Sequence, residues 1–383
     1  MTDTGAEQTT GNKSPEEGSA DVRQKPRVPS KSGRKSNPRR RRTGHAEIDA
    51  VLPQVFDELD TDNADLVAEA VATVLRLGVE DTDRGDLKIV SGALREMRRA
   101  FSTFDDYRGI PKVSVYGSAR TRPRHANYKQ ALGFANRMAE AGWMVITGGG
   151  PGIMAAANEG AGQDSGFGLV IRLPFEEGTN DNIANDDKRL VFRYFFARKL
   201  AFVKEADAFA FFPGGFGTMD EAFETLTLMQ TGKSVIAPIV LLDSPGDDFW
   251  DRWDQFIRTQ LLRDKLISEE DFALFKIFDD IAAAEHEITR FYRNYRSQRF
   301  VGDHLYLRMK QAPSDAELDS LNADFGDIVV EGRIERVKAS KDERSDADSL
   351  DAERIRFVFN RKHYGRLRVL IDRLNELDGL PGD

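Results

Sequence analysis

Cysteine is absent from the 383 residues. That excludes disulfides, thiolate metal sites and a cysteine nucleophile, and it fits a reducing cytoplasm. No apolar run reaches the roughly eighteen residues that a membrane-spanning helix needs. The N-terminus is polar and lacks the apolar core of a signal peptide, so a cytoplasmic location is expected. Histidine is scarce: His45, His125, His286, His304 and His363 are scattered, and no two have metal-ligand spacing. Neither a metal nor a cofactor is expected. Acidic residues outnumber basic ones, for a formal charge of −9, which argues against nucleic-acid binding by the chain as a whole.

That charge is unevenly spread. Residues 21–44 hold ten lysines and arginines against one aspartate, ending in Arg39-Arg40-Arg41-Arg42. Residues 1–45 have almost no large apolar side chains and read as a disordered basic tail. Such an arm can touch nucleic acid or an anionic surface, or simply solubilise the chain. Residues 46–110 read as a helical extension, with apolar residues at helical spacing over Ala64–Leu77 and Leu87–Phe104.

From Pro111 to about residue 300, strands and helices alternate. Strands are expected at Val113–Tyr116, Trp143–Ile146, Phe167–Leu173, Ala206–Phe212 and Ser234–Leu242. Pro238 suggests that the last of these is an edge strand or carries a local irregularity. Helices are expected over Ala126–Ala141, Ile153–Gly162, Val191–Glu205, Met219–Gln230, Asp248–Leu262 and Ile277–Tyr295. This alternation predicts an α/β fold, a Rossmann-like doubly wound parallel sheet. Residues 301–383 read as a small C-terminal α+β appendage, with a charged mobile loop over 338–353.

Three strands end in glycine turns: Gly117-Ser118, Gly148-Gly149-Gly150-Pro151-Gly152 and Pro213-Gly214-Gly215-Phe216-Gly217-Thr218. Ligands of parallel sheets sit beyond the C-terminal strand ends. A glycine turn opening a helix leaves backbone N–H groups uncovered beside a partial positive charge, which suits a phosphate. A single such turn is more often just tight packing; three on neighbouring strands would form one anion-friendly cleft. Neither glycine-rich turn is a nucleoside-triphosphate loop, because no Gly-Lys-Ser/Thr follows.

Tyr116-Gly117-Ser118-Ala119, Gly148 through Met154, Phe196-Ala197-Arg198-Lys199 and Pro213 through Glu221 resemble the LONELY GUY (LOG) family over roughly residues 111–295. These are nucleoside 5′-monophosphate phosphoribohydrolases, often mislabelled lysine decarboxylases. The resemblance implies hydrolysis of an N-glycosidic bond, releasing free base and ribose 5-phosphate from AMP or a cytokinin riboside monophosphate. By position it implies Glu221 and Arg198 as the catalytic pair. It implies substrate and phosphate contacts from Gly117, Ser118, Gly149, Gly150, Gly152, Lys199, Gly214, Gly215, Gly217, Thr218 and Glu176. It also implies a homodimer or larger assembly.

The chemistry is coherent. Departure of the base leaves an oxocarbenium-like ribose carbon, and a nearby carboxylate can stabilise it and deprotonate water. Arginine stays protonated, so Arg198 suits an electrostatic role rather than that of an acid. Asp220 and Glu224 flank Glu221, and Glu224 lies on nearly the same helix face, so it remains a competing base. Glu176 and Asn180 match a family segment that borders the substrate. The rival reading is a nucleotide-binding sensor that uses the same cleft without hydrolysis. A third is DNA binding through the basic arm. A pyridoxal-phosphate decarboxylase is disfavoured, since no Schiff-base lysine stands out.

Overall fold

Strands buried on both faces set the architecture. The computed structural model describes residues 37–58, 61–173 and 180–380. Three helices lead in: α1 (Ala46–Asp57), α2 (Ala64–Val79) and α3 (Arg84–Asp105). The main sheet is then built from β1 (Lys112–Tyr116), β2 (Met144–Thr147), β3 (Gly166–Ile171), β4 (Arg189–Phe192), β5 (Ala208–Phe211), β6 (Ile239–Leu242) and β7 (Lys276–Phe278). Its helices are α4 (Ala126–Glu140), α5 (Ile153–Ser165), α6 (Phe195–Glu205), α7 (Phe216–Gln230), α8 (Phe249–Phe256) and α9 (Ile281–Phe291). A π-helical stretch, Ile257–Leu262, continues α8.

Strand order is β4-β3-β2-β1-β5-β6-β7, and every pairing is parallel. The chain winds outward from β1 to β4, then returns to the other side of β1. The switch point therefore lies between β1 and β5, where a crevice opens at the strand ends. In β5 the small side chains Ala208 and Ala210 face α4, α5 and α9. Phe209 and Phe211 point to the opposite core, with α6 and α7. Burying each phenylalanine contributes about 1.5–3 kcal/mol against exposure. This is the Rossmann-like α/β sheet expected from the alternation.

A second, antiparallel sheet follows, in the order β10-β11-β9-β8. Its strands are β8 (Tyr295–Val301), β9 (His304–Met309), β10 (Glu335–Arg336) and β11 (Glu353–Val358), with helices α10 (Asp315–Phe325), α11 (Lys341–Ser345) and α12 (Tyr364–Leu374). One apolar cluster runs from Phe209 and Phe211 of the main sheet through Phe291 and Tyr295 to Leu307, Phe357 and Leu370. The two sheets thus share a core.

Several local expectations give way to tertiary context. The expected helix from Val191 begins instead as β4, because Arg189–Phe192 pairs in register with β3. Pro238 marks no edge: β6 lies between β5 and β7, and the proline stands just ahead of it with its carbonyl accepting from Phe209 N–H. The stretch expected as a helix to Tyr295 ends at Phe291, and Tyr295 opens β8.

Residues 338–353 are not a plain mobile loop. Ser340 and Glu343 form a capping box that starts α11, and the fully buried Glu343 carboxylate meets Arg308 at 2.7 Å and Arg354 at 3.2 Å. Two buried guanidinium groups on β9 and β11 need that carboxylate, so the segment is held down.

Arg39–Arg42 likewise does not behave as part of a free tail. Pro38–Arg41 forms a 3₁₀ turn against α2, with Arg40 paired to Glu69 at 3.2 Å and Arg41 to Asp65 at 3.8 Å. The remainder of the expected tail, residues 1–36, lies outside the described residues. No helix among the described residues is long and apolar enough to cross a membrane.

Candidate active site

The three glycine turns meet at Ser118. Its N–H donates to the Pro213 carbonyl at 3.1 Å, and its carbonyl accepts from Ile153 N–H at 3.0 Å. The turn after β1 is thereby tied to the turn after β5 and to the start of α5. Close approach explains the glycines. A Cβ at Gly117 would lie 2.6 Å from the Ile153 side chain. At Gly152, with φ +69°, it would strike the Ser118 carbonyl, and at Gly214 the Thr218 hydroxyl. Gly149 has φ +68°, and a Cβ on Gly150 would meet the Met154 side chain. Gly215 and Gly217 face open space at the start of α7. That leaves backbone there open to a bound anion, as the first turn of a helix allows.

The second turn is braced from below. Thr147 Oγ1 donates to Asn158 Oδ1 at 2.6 Å and accepts from Gly149 N–H at 3.0 Å. Asn180 closes the turn from outside. Its backbone N–H donates to the Gly149 carbonyl at 2.9 Å, and its Nδ2 to the Gly150 carbonyl at 3.0 Å. Glu176 lies outside the described residues.

Arg198 and Lys199 come from α6. Arg198 Nε donates to the Leu169 carbonyl at 2.7 Å, and its guanidinium touches the space where a Gly148 Cβ would be. Burial lowers its pKa, with Glu221 and Tyr116 opposing, yet a guanidinium stays charged. Lys199 Nζ lies 2.6 Å from Glu224 Oε2, 2.9 Å from Asp220 Oδ2 and 3.5 Å from Glu221 Oε2. Burial works against its charge, but hydrogen bonds to Glu224 and Asp220 prevail and raise its pKa.

The three acids of α7 differ in setting. The side chains of Asp220 and Glu224 are 60% and 35% exposed, while that of Glu221 is 9% exposed. Glu221 Oε2 is buried and has no hydrogen-bond partner among the described residues. Lys199 is near enough to attract it but lacks hydrogen-bond geometry. Burial drives the Glu221 pKa up to about 7, against Lys199 and Arg198 and with help from Glu224 and Asp220. A carboxyl poised near neutrality in a cleft suits proton transfer.

Tyr116 was not picked out for a role from sequence. Its ring stacks on Phe211 at 4.7 Å, and its buried hydroxyl has no hydrogen-bond partner among the described residues. Burial, then the nearby Glu221, raises its pKa well above the usual value. Thr147 and Asn158 were also missed; a lone Thr or Asn on a strand or helix carries no signal of what it braces. His125 caps α4 by accepting from Asn127 N–H at 3.1 Å. Among the described residues, no group of three acidic or histidine side chains is arranged to hold a metal ion.

No curated protein matches the chain. Among solved structures, the molybdenum cofactor binding protein from the phototrophic bacterium Rippkaea orientalis matches at 22% identity and TM-score 0.35, covering 47% of this chain and 96% of that one. The molybdenum cofactor carrier protein from Chlamydomonas reinhardtii matches at 22% identity and TM-score 0.35, covering 47% and 97%. DNA processing protein A from Helicobacter pylori matches at 15% identity and TM-score 0.33, covering 47% and 80%. The family described as "Possible lysine decarboxylase" matches residues 144–288, a span that holds Arg198, Lys199, Glu221 and two of the three glycine turns. That match accords with the resemblance of these residues to the LOG family.

Proposed function

We propose that the chain hydrolyses the N-glycosidic bond of a nucleoside 5′-monophosphate, giving free base and ribose 5-phosphate. The observation that carries this reading is the buried Glu221 carboxyl, with a pKa near 7, beside Arg198 and Lys199 at the mouth of the sheet. The 5′-phosphate binds the open backbone of Gly215 and Gly217 at the start of α7, within the cradle of Gly214, Thr218, Gly117 and Ser118. Gly149, Gly150 and Gly152 form the facing wall.

Glu221 takes a proton from water as the water oxygen bonds to the ribose C1′. The C1′–N bond breaks with its electron pair leaving on the base, which takes up a proton from solvent, and Glu221 returns the proton it accepted to solvent. Arg198 holds the substrate and offsets negative charge. Lys199 restrains the acids around Glu221 and can turn to the phosphate or ribose. Glu221 is favoured over Asp220 and Glu224 because it alone of the three is buried. Glu176 is retained as a substrate contact, and a homodimer as the working form.

The test is a panel of nucleoside monophosphates, AMP first, with released base separated by chromatography. Base release from at least one of them supports the reading. Saturable binding with no base released would instead make the cleft a nucleotide sensor.

A further inference from the structure

A groove of about 710 Å³ runs between α3 and the junction of β4 with α6. Arg84, Lys88, Arg95 and Arg99 line it from α3, and Arg193 lines it from the facing wall. The α3 positions stand at i, i+4, i+11 and i+15, so all four share one helix face. Like charges four apart on a helix repel one another. Among the described residues, none of the five is ion-paired with a carboxylate. Arg95 donates to the Ser91 hydroxyl at 2.7 Å, and the Arg193 guanidinium lies 5.6 Å from the centre of the Tyr194 ring. Glu96 also lines the groove, but its two oxygens are taken by the backbone N–H groups of Arg193 at 2.9 Å and Tyr194 at 3.3 Å. A chain of net charge −9 thus gathers unneutralised cations on one face.

The groove also has an apolar side. Leu87, Val191 and Tyr194 line it, and a Cβ at Gly92 would lie 2.6 Å from the Tyr194 ring. Gly92 therefore permits the ring to close against α3.

We propose that this groove binds a small molecule carrying two or more linked phosphates, held by the guanidinium groups of Arg95, Arg99 and Arg193 with Tyr194 beside them. Guanidinium forks match phosphate oxygens two at a time. The volume falls in the range of about 300–1,000 Å³ typical of small-molecule sites. Single-stranded nucleic acid is served by a track of successive aromatic faces, and here Tyr194 is the aromatic residue in the lining. The wall is continuous with the α6 helix, because the Tyr194 carbonyl accepts from Arg198 N–H at 3.2 Å. The proposal does not depend on what binds at the glycine turns.

Titration calorimetry on the full chain tests it, with inorganic tripolyphosphate, ATP and a short oligothymidine as probes. Tripolyphosphate is expected to bind. Equal affinity for ATP identifies the phosphate chain as the feature recognised; tighter ATP binding identifies a nucleoside polyphosphate. The double variant R95Q/R99Q removes charged contacts from an exposed helix face and should weaken binding by at least about tenfold. Arg193→Gln, on the other wall, should weaken it independently. Lys199→Ala, at the glycine turns, should leave it intact. No binding of either phosphate probe, affinity unchanged in both groove variants, or preference for oligothymidine would overturn the proposal.

Discussion

The proposed general base is a single side chain of α7, Glu221. Its carboxyl is buried, has an oxygen without a hydrogen-bond partner among the described residues, and has a pKa raised from 4.5 to about 7. If it is the general base, kcat/KM for the best monophosphate should rise with pH and level off above an apparent pKa of about 7. A flat profile between pH 5 and 8, spanning roughly the range over which such a group changes charge, would remove it from that role. Glu221→Gln should still bind substrate but lose about a hundredfold or more in kcat. The same substitution has a consequence for stability. The folded state holds the Glu221 proton up to about pH 7, while the unfolded chain releases it near 4.5. Stability contributed by this group is therefore lost as pH rises through that window. Glu221→Gln should match the parent near pH 4 and exceed it at pH 8, by on the order of 3 kcal/mol. Denaturant unfolding at the two pH values checks both the sign and the window.

At the scale of elements, the turns and α11 make separate predictions. Gly152 has a left-handed φ, and its missing Cβ makes room for the Ser118 carbonyl. Gly152→Ala should force the turns after β1 and β2 apart, destabilising the fold by about 1 kcal/mol or more and weakening substrate binding. Thermal melts and a KM measurement on the same preparation read both effects. In α11, Glu343→Ala would leave Arg308 and Arg354 buried without a shared carboxylate. Removing one partner of a buried charged group costs about 3–5 kcal/mol. Asp348, which also pairs with Arg308 at 2.7 Å, keeps the loss toward the lower end. A loss below about 1 kcal/mol, the range of exposed pairs, would mean the cluster is wetter than its burial indicates.

For the whole molecule, the decisive feature is the apolar cluster common to both sheets. It runs from β5 through α9 to α12, so the C-terminal sheet cannot leave without exposing the main core. Calorimetry of the full chain should give one cooperative unfolding transition, with matching calorimetric and van't Hoff enthalpies. Two separable transitions would show that the C-terminal part folds as an independent unit.

How much of this was legible beforehand depended on the range of the interaction. Glycines, strand-like apolar runs and helical periodicity act over a few residues. From them the sequence alone determined the alternation of strands and helices, the parallel sheet and three turns at strand ends. Resemblance then pointed to Arg198 and Glu221. What the chain does across long separations was invisible. Nothing local distinguishes Glu221 from Asp220 or Glu224; α7 packing alone buries the one and leaves the others wetter. Nothing in Arg189–Phe192 announces a strand until β3 offers its edge. The charged residues of 338–353 read as solvated, because their partners Arg308 and Arg354 lie on other elements. Burial is a property of the assembled fold, and only tertiary structure decided which charges lost water and so acquired altered chemistry.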